Sequence, residues 1–243
     1  MENHIKRTYF IDQPRFLGDT IYVMAIAQHY ANKGCKIIFP IEGDEKHIKD
    51  MQYAFPTVNI VSVNDVKEYE NYYATNKIDD KYHVIPCILN SMKASFTTQM
   101  KNKYTGNGFD FNMWREIKII RNLKKEKELI NKLNIKENEK FSLINENYRS
   151  NIPSKVAKTK VNKISISNIN VGNRKIFLKF IEGYSLLDWI GVIERANKIY
   201  TVHTSIHYLI ELFSTTKEVH IFKRGDENHN RYDFLFKKEY IYH

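Results

Sequence analysis

Cysteine is scarce in this chain. Cys35 and Cys87 are the two it has among 243 residues, and they form no Cys-x-x-Cys pair. That arrangement excludes a disulfide framework and a cysteine zinc site, and the expectation is two buried free thiols. No apolar run approaches the roughly 20 residues that cross a bilayer. The stretch from Met1 to Arg7 is polar and charged and lacks the apolar core of a signal peptide, so the chain reads as soluble and intracellular. Glycine and proline number 9 and 5, and no Gly/Ser-rich linker or internal repeat is present. No Asp-x-Asp metal motif is present either. Asp79-Asp80 is a bare acidic pair in a turn-like stretch and reads as solvated. Neither a metal nor a bound cofactor is expected.

Acidic residues are missing from one long stretch. Between Arg149 and Ile181 there is none, against eight basic residues: Arg149, Lys155, Lys158, Lys160, Lys163, Arg174, Lys175 and Lys179. The chain as a whole carries a net charge of +10. Such a block attracts phosphates or another polyanion, and a solvated basic surface is the plainer alternative. Hydrophobic residues make up 42%, which supplies a core for one large domain or two small ones.

The first part alternates in the α/β manner. Thr8 to Asp12 reads as a strand, and Asp19 to Lys33 as a helix with Val23, Ala27 and Tyr30 on one face. Gly34 closes that helix as a C-cap glycine. Cys35 to Pro40 reads as a buried strand, Asp44 to Phe55 as a helix ended by Pro56, and Val58 to Val63 and Tyr82 to Pro86 as further strands. Asp65 is placed to cap a short helix. This repetition predicts parallel strands with crossover helices. Residues 1–112 form the expected N-terminal Rossmann-like domain. Residues 113–140 are highly charged with a helical pattern and read as a connecting segment.

Residues 141–243 make the expected C-terminal α/β domain. Phe141 to Ile144 is a short strand that runs into a polar loop, Asn145-Glu146-Asn147-Tyr148-Arg149. Ile164 to Ile169 and Lys175 to Ile181 have strand character, with Gly172-Asn173 as a candidate hairpin turn. Ser185 to Asp188 resembles a capping box. The helix after it buries Leu186, Trp189, Ile193 and Ala196. Lys198 to His203 is a strand, Ser205 to Phe213 a helix, Val219 to Phe222 a strand, and Tyr240 to Tyr242 an edge strand. The fold class expected is α/β, with two Rossmann-like halves facing a central cleft and a compact second half.

The run Arg15-Phe16-Leu17-Gly18-Asp19-Thr20 holds the sharpest chemical signal. Gly18 allows a tight strand-to-helix turn, and a carboxylate at Asp19 sits where a helix dipole favours negative charge. It is a candidate general base; a plain first-turn acid is the alternative. Ligands of such sheets bind at the carboxyl ends of strands beside helix N-termini. The Gly18-Asp19 turn, the loop from Asn145 to Arg149, and His203-Thr204-Ser205 would all lie there. Arg149, Lys179 and Arg224 are candidate phosphate neutralisers. His203, His207 and Glu211 recur every four residues, a spacing that suits a metal on one helix face. His203 falls at a strand end instead, so His207 reads as a phosphate or hydroxyl partner or a surface histidine. Glu194 and Glu211 could contact a ribose. Thr204 and Ser205 could equally be helix caps.

Arg15-x-x-Gly18-Asp19 after a first strand resembles the N-terminal motif of heptosyltransferase-like glycosyltransferases of the GT-B architecture. Asp188 to Phe213 resembles the donor-side segment of the same family, and also glycosyltransferases of tailed phages and marine bacteria. The resemblance implies an inverting, metal-independent transfer of a sugar from a nucleotide-sugar donor to an acceptor hydroxyl. Asp19 would be the catalytic base, with Arg15, Gly18 and Thr20 on the acceptor side. Thr204 and Ser205 would hold the donor phosphates, with Asn145, Glu146, Asn147, Arg149, Lys179, His203, His207 and Glu211 around the donor. The implied setting is the cytoplasm of a bacterium or a virus-infected cell, and the acceptor a glycan or a hydroxymethylated base of phage DNA. The chain departs from the family at Val202, where the family has Asp, and at Thr204, where it has Gly. That departure motivates a second reading, a non-catalytic polyanion-binding or nucleic-acid-binding protein with a glycosyltransferase-like shell.

Overall fold

The computed structural model describes residues 7–13, 17–43, 45–63, 71, 82–87, 96–149, 161–163, 166, 171–223 and 234–243. The chain divides into two compact units, Met1–Ile120 and Arg121–His243. Each is α/β with its own parallel sheet. No helix among the described residues is long and apolar enough to cross a membrane.

In the first unit, β1 (Thr8–Asp12), β2 (Lys36–Glu42), β3 (Asn59–Val63) and β4 (Tyr82–Pro86) pair in parallel, in the order β3-β2-β1-β4. Helix α1 (Leu17–Asn32) is buried continuously from Thr20 to Ala27. A run that is apolar on every side needs cover on every side. The cover comes from β2, from α3 (Phe96–Thr105) and from a 3₁₀ turn at Phe111–Glu116. The expectation of one apolar face on α1 is therefore too narrow. The helix ends as expected. Gly34 has φ +81°, its N–H donates to Ala31 O at 2.9 Å and that of Cys35 to Tyr30 O at 3.1 Å. This is the Schellman pattern, which a residue with a Cβ would strain. Helix α2 (Glu45–Ala54) links β2 to β3 and buries Met51 and Ala54.

In the second unit, the main sheet has the order β11-β10-β9-β5-β8, all parallel. Its strands are β5 (Phe141–Asn145), β8 (Arg174–Phe177), β9 (Lys198–Val202), β10 (Val219–Phe222) and β11 (Ile241–Tyr242). A separate antiparallel ribbon pairs β6 (Asn147–Arg149) with β7 (Val161–Lys163). The helices are α4 (Leu123–Lys132), α5 (Ile190–Arg195) after a 3₁₀ turn at Leu186–Trp189, and α6 (Ile206–Phe213). Ile144, Ile166, Val171, Tyr200 and Val202 form one buried cluster.

Three expectations change. Residues 113–140 are not one helix: the 3₁₀ turn ends by Ile117, whose backbone is extended, and α4 starts afresh at Leu123 under an Asn122 cap that accepts from Lys125 N–H at 3.1 Å. The boundary between the units falls inside this segment. Asn147 to Arg149 is a strand and not a loop, because β7 supplies it with a partner. β8 pairs in parallel with β5; the strand expected at Ile164 to Ile169, which Gly172-Asn173 would join to it, lies outside the described residues apart from Ile166. Gly18 is already helical in α1, so it does not form the strand-to-helix turn, and Arg15 lies outside the described residues. So do Asp65, Asp79, Asp80, Lys155, Lys158, Lys160 and Arg224.

Candidate functional site

Open parallel sheets bind ligands where the strand order reverses, beyond the carboxyl ends of the strands. In the first unit the chain runs outward from β1 through β2 to β3, then returns to place β4 on the other flank of β1. The switch point is thus between β1 and β4, where Cys87 N–H donates to Asp12 O at 3.2 Å. Asp19, in the first turn of α1, carries its carboxylate to this group of residues. Its Oδ1 lies 2.5 Å from Lys103 Nζ, and Lys103 also donates to Gln13 Oε1 at 2.8 Å. Gln13 follows β1 directly. Among the described residues no hydrogen bond is made to Asp19 Oδ2. The Asp19 side chain is 27% exposed and that of Lys103 9%. Thr20 beside it is buried.

Packing explains why a lysine is held so deep. Met100, Lys103 and Tyr104 share one face of α3, at i, i+3 and i+4. Met100 and Tyr104 are buried against α1, where Tyr22 OH donates to Met100 O at 3.1 Å and Tyr104 OH donates to Tyr22 O. Docking that face carries Lys103 inward. Burial pushes the Cys87 thiol up to about 12, with Lys103 opposing and Asp12 reinforcing the shift. Cys87 is therefore an inert thiol. Neither Lys103 nor Gln13 could be singled out from the sequence. Lys103 is one of 38 lysines and arginines, and no spacing ties it to residue 19.

The second unit has its own switch point. The chain goes from β5 to β8 on one side, then to β9, β10 and β11 on the other. At the carboxyl ends of β5 and β9, Asn145 Nδ2 donates to Thr201 Oγ1 at 2.9 Å and to Thr204 Oγ1 at 3.1 Å. The Thr201 hydroxyl donates to Val202 O at 2.9 Å. Thr204 and Ser205 are half-buried at the start of α6, and Ser205 makes no side-chain cap. Asn145 and Glu146 are buried, Asn147 is exposed, and Lys179 is exposed just past β8. The Arg149 side chain lies outside the described residues.

The histidines sit elsewhere than expected. His207 is a core residue and not a surface one: its ring stacks on Phe236 at 3.7 Å and meets Tyr240 edge-on at 4.7 Å. His203 is buried beside it, Nδ1 to Nδ1 3.3 Å. Burial first, and the proximity of His203 second, hold the His207 pKa well below its usual value. Glu211 is engaged by the C-terminal segment. It accepts from Lys237 N–H at 2.8 Å, Lys238 N–H at 3.3 Å and Tyr240 OH at 2.5 Å. The described residues contain no group of three or more ligating side chains that could hold a metal ion. Glu194, a candidate ribose contact, is bound by Arg121 at 2.7 Å. Asp188 Oδ2 accepts from Ser185 N–H at 2.7 Å, the box the sequence suggests.

No family model and no curated protein matches this chain. Among solved structures, a glycosyltransferase family 9 protein from Veillonella parvula DSM 2008 is similar, at 11% identity and a TM-score of 0.48, over 89% of this chain and 80% of that one.

Proposed function

We propose that this protein is a glycosyltransferase that moves a sugar from a nucleotide-activated donor to an acceptor hydroxyl. The observation that carries the reading is the Asp19 carboxylate at a switch point of a parallel sheet, with one oxygen on Lys103 and the other without a partner among the described residues. Asp19 Oδ2 takes the proton of the acceptor hydroxyl. The hydroxyl oxygen then attacks the anomeric carbon, and the bond from that carbon to the donor phosphate breaks. The nucleoside diphosphate leaves with the electron pair, and the anomeric configuration inverts. In the second unit, the Thr204 and Ser205 hydroxyls and the α6 N-terminus are the groups suited to donor phosphates. Asn145 supports Thr204 from below. A glycan hydroxyl is the acceptor class this reading favours. His207 and Glu211 take no part, because both are engaged inside the second unit.

Two measurements test this. A thermal-shift screen of nucleoside diphosphates and nucleotide sugars is expected to show stabilisation by one nucleotide. Shifts with DNA or heparin alone would favour the non-catalytic alternative. With the donor in hand, Asp19→Asn should lower turnover by about 10²- to 10⁴-fold. Near-normal turnover in that variant would remove Asp19 from the mechanism.

A further inference from the structure

We propose that Lys103 is a positioning residue for Asp19, fixing the carboxylate with one oxygen occupied and the other open to a hydroxyl. This deepens the glycosyltransferase reading and rests on it for the identity of the hydroxyl. The ion pair itself rests on geometry alone. Lys103 is the deeper partner, its side chain 9% exposed against 27% for Asp19. An ammonium at that depth needs a counter-charge and hydrogen bonds for its donors. Asp19 Oδ1 and Gln13 Oε1 supply them, from α1 and from the end of β1. Cys87 nearby stays a neutral thiol, so it does not compete as the counter-ion.

The contacts around Lys103 leave it little freedom. The paired hydroxyl bonds of Tyr22 and Tyr104 lock α1 to α3 beside the ion pair. Asn107 Nδ2 donates to Lys103 O at 2.9 Å and to Pro86 O at 3.0 Å, tying the end of α3 to the end of β4. The ammonium is thereby referred to three elements, and it transmits that placement to Asp19. A charge-assisted bond from a rigid donor narrows the rotamers of the carboxylate, and it engages Oδ1 while Oδ2 has no hydrogen bond among the described residues. Asp19 by itself, at the first turn of a helix, would have no such constraint.

The test uses the full chain and four variants: Lys103→Met, Lys103→Arg, Asp19→Asn and the double variant Asp19→Asn with Lys103→Met. If Lys103 positions the base, Lys103→Met lowers kcat by about a hundredfold with the donor KM unchanged. Lys103→Arg, which keeps a cation for the carboxylate, recovers much of the loss. Unchanged kcat in Lys103→Met, or a rise in KM matching the fall in kcat, would overturn the proposal. Thermal melts give an arm that needs no turnover. The double variant is expected to melt higher than the two single losses added together, because it removes both charges at once. Additive losses would show that the residues are not coupled and would sink the proposal. If the wild-type chain transfers no sugar from any nucleotide donor while the melts show coupling, the glycosyltransferase reading fails and the pairing stands.

Discussion

Single residues in this protein are decided by what buries them. Cys87 and Cys35 look alike in the sequence, yet Cys87 is fully buried and its thiol pushed up to about 12, while Cys35 is half-buried. A thiol reagent at mildly alkaline pH should therefore modify Cys35 alone in the native protein, and both after denaturation. Two fast-reacting thiols in the native state would contradict the burial of Cys87. His207 makes a second case. Its folded pKa lies well below 6.5, so it is neutral in the folded chain, whereas the unfolded chain titrates near 6.5. Above that pH both states are neutral and His207 adds no pH dependence. Below it the unfolded chain takes up a proton that the folded one refuses, and stability falls until the depressed folded pKa is passed. Melting temperatures of the wild type and His207→Leu, compared from about pH 7.5 down to about pH 5, should show a shallower decline in the variant. Parallel declines would mean that other groups set the acid limb. His29, whose pKa is also lowered by burial, acts in the same direction.

At the scale of elements, the join between α4 and α5 shows how a charge network and a glycine depend on each other. Arg121 donates from Nε and Nη2 to Glu126 at 2.8 and 2.5 Å, and from Nη1 and Nη2 to Glu194 at 2.7 Å each. The bonds it donates to Glu126, and after them those to Glu194, raise the Arg121 pKa further, against the effect of burial. Glu126 is 3% exposed, so removing its cation strands a buried carboxylate. Arg121→Met is expected to cost roughly 3 kcal/mol in chemical denaturation. Gly191 on α5 leaves the room this carboxylate occupies. A Cβ there would lie 2.8 Å from Glu126 Oε2 and 3.3 Å from Ile130 Cδ1. Because Arg121 holds that oxygen, Gly191→Ala should destabilise by about 1–2 kcal/mol. A gain in stability would show that Glu126 moves freely. None of this was visible beforehand: the charges of 113–140 look like a solvated face, and only the start of α4 at Asn122 turns Arg121 and Glu126 inward together.

For the whole molecule, the two units each hold one tryptophan. Trp114 is buried in the first and Trp189 in the second. Each unit has its own sheet and its own buried cluster, Phe10, Ile38 and Val63 in one and Ile144, Val202 and their neighbours in the other. Separate cores predict separate unfolding. Fluorescence melts of Trp114→Phe and Trp189→Phe should give different midpoints, each reporting the unit whose tryptophan remains. Coincident midpoints would show one cooperative block.

The strands show how far local pattern reaches. Tyr82–Pro86 and Val219–Phe222 fall where alternation and apolar runs put them, because burial in a parallel sheet selects compact apolar segments. The C-cap at Gly34 follows from one residue's tolerance of a positive φ. The ribbon of β6 and β7 was not legible, since a strand needs a partner and Asn147–Arg149 carries no apolar signal of its own. The site divides in the same way. Asp19, Asn145 and Thr204 stand beside strand ends and helix starts, and chain order alone marks them. Lys103 joins Asp19 and Gln13 across 84 and 90 positions by the docking of α3 on α1. His207 and Glu211 are in contact with Phe236, Lys237 and Tyr240, from the segment that follows β10. Thus the sequence by itself determined the α/β class, most of the strands and the candidate base, since these follow from local periodicity and turn chemistry. The tertiary structure alone decided the partners of Asp19 and which polar residues are buried, because both depend on contacts between segments that no spacing along the chain encodes.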